Sequence, residues 1–112
     1  MSASLILNDP TLLQTNAFID GVFTAAPNGK TFAVRNPANG EILAEVADCG
    51  ADDIARAIDA ADTARHSWAA TTAKERSAIL RKWNDLCLEN IDDLAAILTA
   101  EMGKPLAEAK EI

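Results

Sequence analysis

The sequence is poor in residues that bind metals or form disulfides. Its 112 residues include two cysteines and one histidine. Cys49 and Cys87 lie too far apart to form a metal-binding pair, and secreted disulfide scaffolds carry more cysteines. We therefore predict two reduced thiols in a cytoplasmic protein. His66 has no second histidine with which to form a metal site or a catalytic triad, so we predict a solvated surface side chain.

Basic residues and long apolar runs are scarce as well. Ten lysines and arginines against seventeen aspartates and glutamates give a net charge of −7, which disfavours binding to nucleic acid or to an anionic membrane surface. The apolar run of residues 5–7 is ended by Asn8, Asp9 and Pro10, and it is too short for a signal peptide or a membrane span. We therefore expect no nucleic-acid partner and no membrane partner.

Short strands are predicted in the first half of the chain, after an N-terminal arm over residues 1–14 that we expect to be mobile. Asp20-Gly21 between apolar residues is a strong hairpin signal, because both turn positions need a positive φ. Residues 31–35 and 41–46 alternate in the manner of half-buried strands and flank a turn that contains Pro37. This part of the sequence therefore predicts two hairpins.

After Gly50 the apolar residues recur at helical spacing. Gly50 is an acceptable cap for a first helix, and Asp52 and Asp53 suit the positive end of its dipole. Thr72 and Glu75 form the capping-box pattern that opens a second helix. The predicted apolar faces consist of Ile54, Ala57, Ile58, Ala61, Arg65 and Trp68 in the first helix, and of Ile79, Leu80, Trp83, Leu86 and Cys87 in the second.

A third helix is predicted from a cap at Asn90 to a stop at Gly103, and Pro105 suits the first turn of a short last helix over 106–112. The inward face of the third helix consists of Leu94, Ile97 and Leu98. Because isolated hairpins are marginal in water, we expect these α+β elements to pack on the rest of a longer chain. The alternative is a compact α+β domain in which the hairpins cover the helices.

Four segments, in this order, resemble the start of an aldehyde dehydrogenase. They are NAFIDG at residues 16–21, NPANGEI at 36–42, the helix with Trp68, and EMGKPLAEA at 101–109. We assign residues 15–112 to the N-terminal part of that domain. Within the family, residues 101–110 are most similar to succinate-semialdehyde dehydrogenases. These relatives usually carry a glycine between the positions of Lys110 and Glu111, and its lack next to the end of the sequence suggests a truncated or damaged reading frame.

The resemblance implies an α/β fold in which these hairpins and outer helices belong to an incomplete Rossmann-like cofactor domain. It implies oxidation of succinate semialdehyde to succinate with NAD or NADP, through attack of a cysteine thiolate on the aldehyde, hydride transfer and hydrolysis. The family's catalytic and cofactor-binding residues come later than this sequence reaches. We therefore expect no catalytic, cofactor-binding or metal residue here. We also expect an inactive fragment that binds no NAD(P), with the remainder of the chain and further copies as partners.

Each cysteine can be explained without a role in catalysis. Cys87 lies on the predicted apolar face of the second helix, which indicates an inert buried thiol. Cys49 precedes a helix N-terminus, but the neighbouring Asp48, Asp52 and Asp53 disfavour a thiolate there. Neither cysteine is expected to be a nucleophile.

Three further motifs are also explained without catalysis. Residues 103–105 (GKP) lack the flanking glycines and the hydroxyl residue of a phosphate loop and indicate a helix stop and restart. The acidic pairs at 52–53 and at Asp92-Asp93 suit first helical turns. The resemblance also implies a monovalent cation near the strand with Asn36-Pro37 and Glu101. We leave that cation out of the predicted site, because its other ligands would come from outside this sequence.

A different class of function fits the same apolar faces. A small helical protein that pairs with a partner, or with itself, would expose apolar patches such as those around Trp68 and Trp83. A non-catalytic interaction or oligomerisation module is therefore the alternative to the enzyme fragment.

Overall fold

The computed structural model describes residues 5–111, in which two hairpins precede a series of helices. The strands are β1 (Ala17–Ile19), β2 (Val22–Thr24), β3 (Thr31–Arg35) and β4 (Ile42–Ala47), and the helices are α1 (Ala51–Ala70), α2 (Ala73–Glu89), α3 (Ile91–Met102) and α4 (Leu106–Ala109). Short 3-10 turns lie at Pro10–Leu12 and Pro27–Gly29. The mixed α and β composition that the sequence predicted is confirmed. Residues 1–4 of the predicted arm and Ile112 of the predicted last helix lie outside the described residues.

Hairpin A consists of β1 and β2, which pair antiparallel. Its turn residues Asp20 and Gly21 have φ values of 51° and 79°, as the primed two-residue turns require. Across the strands, Phe18 pairs with Phe23, and their ring centroids are 5.1 Å apart. The two rings are tilted by 56° and both are exposed, so this contact lies on the open face of the hairpin.

Hairpin B consists of β3 and β4, which also pair antiparallel, with an irregular register between Val34 and Arg35. Its turn is stabilised by hydrogen bonds between its own residues. The Asn36 side chain accepts one from the Ala38 amide at 2.9 Å. The Gly40 amide donates to the Asn36 carbonyl at 2.8 Å. The predicted turn around Pro37 is therefore confirmed, whereas nothing in the sequence signalled the irregularity in the ladder.

The helix boundaries follow local capping signals. At the start of α2, Thr72 Oγ1 accepts from the Glu75 amide at 3.1 Å, and a Glu75 carboxylate oxygen accepts from the Thr72 amide at 2.8 Å. The C-terminal residue of α3 is followed by Gly103, whose φ of 79° is the left-handed conformation of a helix stop. The predicted capping box and the predicted stop are confirmed.

Asn90 differs from its predicted role. It separates α2 from α3, but its side chain makes no cap hydrogen bond to α3. Instead, Asn90 Nδ2 donates to the carbonyl of Leu86 at 2.9 Å and closes the end of α2. Only one residue separates the two helices, so Asn90 lies at the end of α2 and at the start of α3. Its side chain binds a carbonyl group at the end of α2 and therefore does not cap α3.

The N-terminal segment packs against the body of the chain from Leu5 onward. Leu5 and Leu7 are buried in one cluster with Leu43 of β4. The Asp93 carboxylate of α3 accepts hydrogen bonds from the amides of Asn8 and Asp9. The expected arm is therefore docked over residues 5–9, because leucines that alternate along it find an apolar groove. Its predicted mobility stays a prediction.

The chain is spread out for its length. Its radius of gyration is 16.6 Å, against about 13 Å for a compact domain of this length. Its accessible surface is 8012 Å², whereas a compact monomer of this mass exposes about 6,000 Å². The alternative of a compact domain with hairpins covering the helices is therefore not what the structure shows.

Candidate functional site

The turn between β4 and α1 gathers most of the polar candidates. Cys49 is half-buried there and lines a shallow cavity of about 360 Å³ with Lys30 and Asp48. Asp52 and Asp53 line the same cavity, so the carboxylates that the sequence placed near Cys49 are indeed beside it. Three carboxylates therefore line the cavity beside this half-buried cysteine.

Asp53 is the most constrained carboxylate in this turn. It is buried, and its oxygens accept from the Gly50 amide at 2.9 Å and from the Arg56 guanidinium at 2.8 Å. The hydrogen bond from Arg56, and then that from Gly50, hold the pKa of Asp53 below its ordinary value against the opposing effect of burial. The first-turn position was predicted, and the spacing of three residues to Arg56 could have signalled the ion pair.

The start of α1 does not fit a dinucleotide. A nucleotide-binding fold presents free helix-terminal amides to the pyrophosphate at the end of a parallel strand. Here the Gly50 amide is already taken by Asp53, and the strand before it, β4, belongs to an antiparallel hairpin. Asp48 and Asp52 add further negative charge around the turn. We therefore derive no chemical step through NAD or NADP at these residues.

The other candidate residues lie apart from this turn. His66 is exposed on α1, about 20 Å along the helix axis from Asp53 at 1.5 Å per residue. It therefore cannot act as a base for Cys49. Cys87 on α2 is half-buried rather than buried, because the apolar face around it is not covered by another element.

The end of α3 brings together two segments that the resemblance connected. A Cβ atom added at Gly103 would lie 3.3 Å from Pro37 Cγ, so the turn of hairpin B touches the end of α3. Glu101 is exposed in the last turn of that helix. Among residues 5–111 no group of three or more His, Cys, Asp or Glu side chains could hold a metal ion. The monovalent cation therefore stays a prediction.

The acidic pair of α3 divides into two different contacts. Asp92 is exposed and forms an ion pair with Lys110 at 3.2 Å. Asp93 is buried and binds the amides of Asn8 and Asp9. The first-turn explanation of this pair is therefore incomplete, because Asp93 serves a contact with the other end of the chain that sequence spacing could not reveal.

Two helices carry large apolar side chains on their exposed surfaces. We call the exposed large side chains of α1 and α2 the uncovered faces. They are Ile54, Ile58 and Trp68 in α1 and Ile79, Leu80, Trp83, Leu86 and Leu88 in α2. Ile58 is 61% exposed and Trp83 is 66% exposed. Within the described residues, α1 contacts β1 and α2 contacts α3, whereas α1 and α2 make little contact with each other. The helical periodicity was predicted correctly, but it does not point into a core of this chain.

No helix among the described residues combines the length and the apolar character needed to cross a bilayer. The prediction that the sequence holds no catalytic, cofactor-binding or metal residue stays a prediction.

Comparison with known proteins places the chain among enzymes several times its length. The pattern of the aldehyde dehydrogenase family matches residues 23–111. Over 93% of the chain it is 53% identical to the glutarate-semialdehyde dehydrogenase of Pseudomonas aeruginosa and 52% identical to the NADP-dependent succinate-semialdehyde dehydrogenase of Escherichia coli. The crystal structure of succinate-semialdehyde dehydrogenase from Burkholderia pseudomallei superposes on 94% of it with a TM-score of 0.89 and 54% identity. The chain spans 22% of the length of each of these relatives.

Proposed function

Because this chain belongs to the aldehyde dehydrogenase family, we propose that it is the N-terminal part of an NAD(P)-dependent enzyme that oxidises succinate semialdehyde to succinate. In this proposal the hairpins and helices are structural support for a cofactor domain, and the remainder of the chain supplies the chemistry. Bound NAD or NADP would accept the hydride there. Residues 5–111 would then carry no chemical step themselves.

The observation that carries the proposal is the uncovered apolar surface. The chain exposes about 2,000 Å² more than a compact monomer of its mass would, and a standard interface buries only about 800 Å² on each partner. Each large apolar side chain that becomes buried contributes about 1.5–3 kcal/mol. Trp83 and Ile58 are therefore in the state expected of residues whose partner surface belongs to the rest of a longer chain.

The substrate part of the proposal rests on what the similar enzymes act on. Their names specify succinate semialdehyde and glutarate semialdehyde, which are both aldehydes with a carboxylate at the other end. The two substrates differ by one methylene group, and one methylene in a pocket is worth only about 1–3 kcal/mol of discrimination. We propose succinate semialdehyde as the preferred substrate and the longer homologue as the competitor to test.

The test is a spectrophotometric assay of the full protein that contains this chain, with each semialdehyde and with NAD or NADP. We expect reduced cofactor to form, with a higher kcat/KM for succinate semialdehyde. The 112-residue chain alone is the control and is expected to give no turnover. Turnover by the isolated chain, or full protein inactive on both aldehydes, would contradict the proposal.

The alternative of a non-catalytic interaction module depends on the same uncovered faces. One sharp calorimetric transition of the isolated chain would support this alternative, because self-sufficient small domains unfold in that way. The family match favours the enzyme instead.

A cytoplasmic location and assembly with further copies of the enzyme belong to the same proposal. Cys49 and Cys87 are both free, as reducing compartments favour. Neither nucleic acid nor membrane is proposed as a partner, since the net charge of −7 repels anionic surfaces.

A further inference from the structure

The segment before the first 3-10 turn alternates in burial. Leu5 and Leu7 are buried, whereas Ile6 between them is 83% exposed. The two leucines share an apolar cluster with Leu43 of β4, and Ala96, Ile97 and Ala100 of α3 pack against that cluster. The segment therefore lies in a groove whose one wall is hairpin B and whose other wall is α3.

A single carboxylate fixes the end of this segment. One Asp93 oxygen accepts from the Asn8 amide at 2.7 Å, and the other accepts from the Asp9 amide at 2.8 Å. Hydrogen bonds to a carboxylate are stronger than those between neutral groups, and backbone donors fix the position of the chain independently of its side chains. Asp93 is buried whereas Asn8 and Asp9 are exposed, so these bonds are partly buried.

The segment also makes a connection that the larger elements hardly make themselves. Hairpin B and α3 have little direct contact along their lengths, apart from the approach of Pro37 to Gly103. Leu5 and Leu7 fill the space between Leu43 and α3. Removing them would uncover Leu43, which is only 2% exposed.

We propose that residues 5–9 form a strap that clamps hairpin B to α3, with Asp93 as the residue that positions it. The chain's own N-terminal region thus occupies the groove between β4 and α3. When the Asp93 hydrogen bonds are removed, α3 stays folded while hairpin B is held less firmly.

The test compares Asp93→Asn with Asp92→Asn in the full protein that contains this chain, by hydrogen exchange of the Asn8 and Asp9 amides. An asparagine at position 93 turns one acceptor into a donor that faces an amide, so we expect these amides to exchange about tenfold faster or more. Amides of α3 near Ile97 should keep their protection. Asp92→Asn removes the neighbouring charge but leaves the strap bonds, and it should change the exchange of residues 5–9 little. Unchanged protection of the strap in Asp93→Asn would overturn the proposal.

A second pair of variants covers the case in which Asp93→Asn unfolds α3. Asn8→Pro removes the amide that donates to Asp93 and also restricts the backbone of Leu7, while Asn8→Ala keeps the amide. Asn8 is exposed, so Asn8→Ala leaves the groove unchanged. We expect Asn8→Pro to release the strap, with faster exchange of the Asp9 amide and earlier proteolytic cleavage in residues 5–9, and Asn8→Ala to behave as the parent. Equal exchange in the two variants would refute the role of the Asp93 hydrogen bonds.

Discussion

The hydrogen bonds of Asp53 make the stability of the start of α1 depend on pH. Its carboxylate holds the Gly50 amide, which precedes the helix, and the Arg56 guanidinium one turn later. Because these bonds lower the folded-state pKa of Asp53, their stabilisation is complete above the ordinary aspartate pKa of about 3.9. It is lost as the pH falls from that value through the lower folded-state pKa.

We predict that Asp53→Asn lowers the helix content at pH 7, because the neutral amide loses the charged contact with Arg56. The variant should also show a smaller loss of helix than the parent when the pH is lowered through about 3.9. Circular dichroism over a pH series measures both. Asp52→Asn is the control, since Asp52 lies exposed in the same turn. A parent and an Asp53→Asn variant with identical acid titrations would speak against this role.

At the scale of single elements, α2 is defined by its first turn. The reciprocal hydrogen bonds of Thr72 and Glu75 satisfy two amides that a helix end would otherwise leave without partners.

We predict that Thr72→Ala destabilises the protein by about 1 kcal/mol, because it removes the acceptor for the Glu75 amide. Thermal unfolding of α2 by circular dichroism measures the change. Ser77→Ala removes a hydroxyl from the exposed middle of the same helix. That variant should be neutral or slightly stabilising, since alanine is the better helix former. A loss of equal size in both variants would mean that the cap contributes nothing specific.

Elements of this kind were predictable because their signals are local. The Asp20-Gly21 turn, the Thr72 capping box and the Gly103 stop each depend on residues within one turn of the chain. The docking of Leu5 on α3 depends on residues far apart in sequence, and no periodicity encodes it. The turn around Cys49 could be predicted only in part for the same reason. Its aspartates are neighbours of Cys49 in the sequence, whereas Lys30 comes from a distant part of the sequence, and its position beside Cys49 could not be predicted.

At the scale of the whole molecule, the apolar periodicity of α1 and α2 was predicted correctly and remains without a core in this chain. Trp83 is the clearest case, because two thirds of its surface is exposed in a helix whose polar residues face elsewhere. The sequence specifies which face each helix buries, but the surface that covers it is encoded elsewhere in the longer enzyme that we propose.

We predict that Trp83→Ala strongly destabilises the full protein, although Trp83 is exposed in this chain. The loss should be about 3–5 kcal/mol, the range for a large aromatic side chain removed from a core. Urea unfolding of the full protein measures the loss, and Lys82→Ala in the same helix should be neutral. A small effect of Trp83→Ala in the full protein would mean that the face stays solvated.

The uncovered strand edges of the two hairpins favour aggregation before the chain is fully folded. Each sheet has only two strands among residues 5–111, so every strand has a lateral edge whose peptide groups no third strand covers. Such edges template the addition of foreign extended segments. In the longer enzyme that we propose, a nascent chain with such edges is exposed to cross-β aggregation until later strands cover them. The excess of negative charge protects it in the meantime, because copies of the chain repel one another.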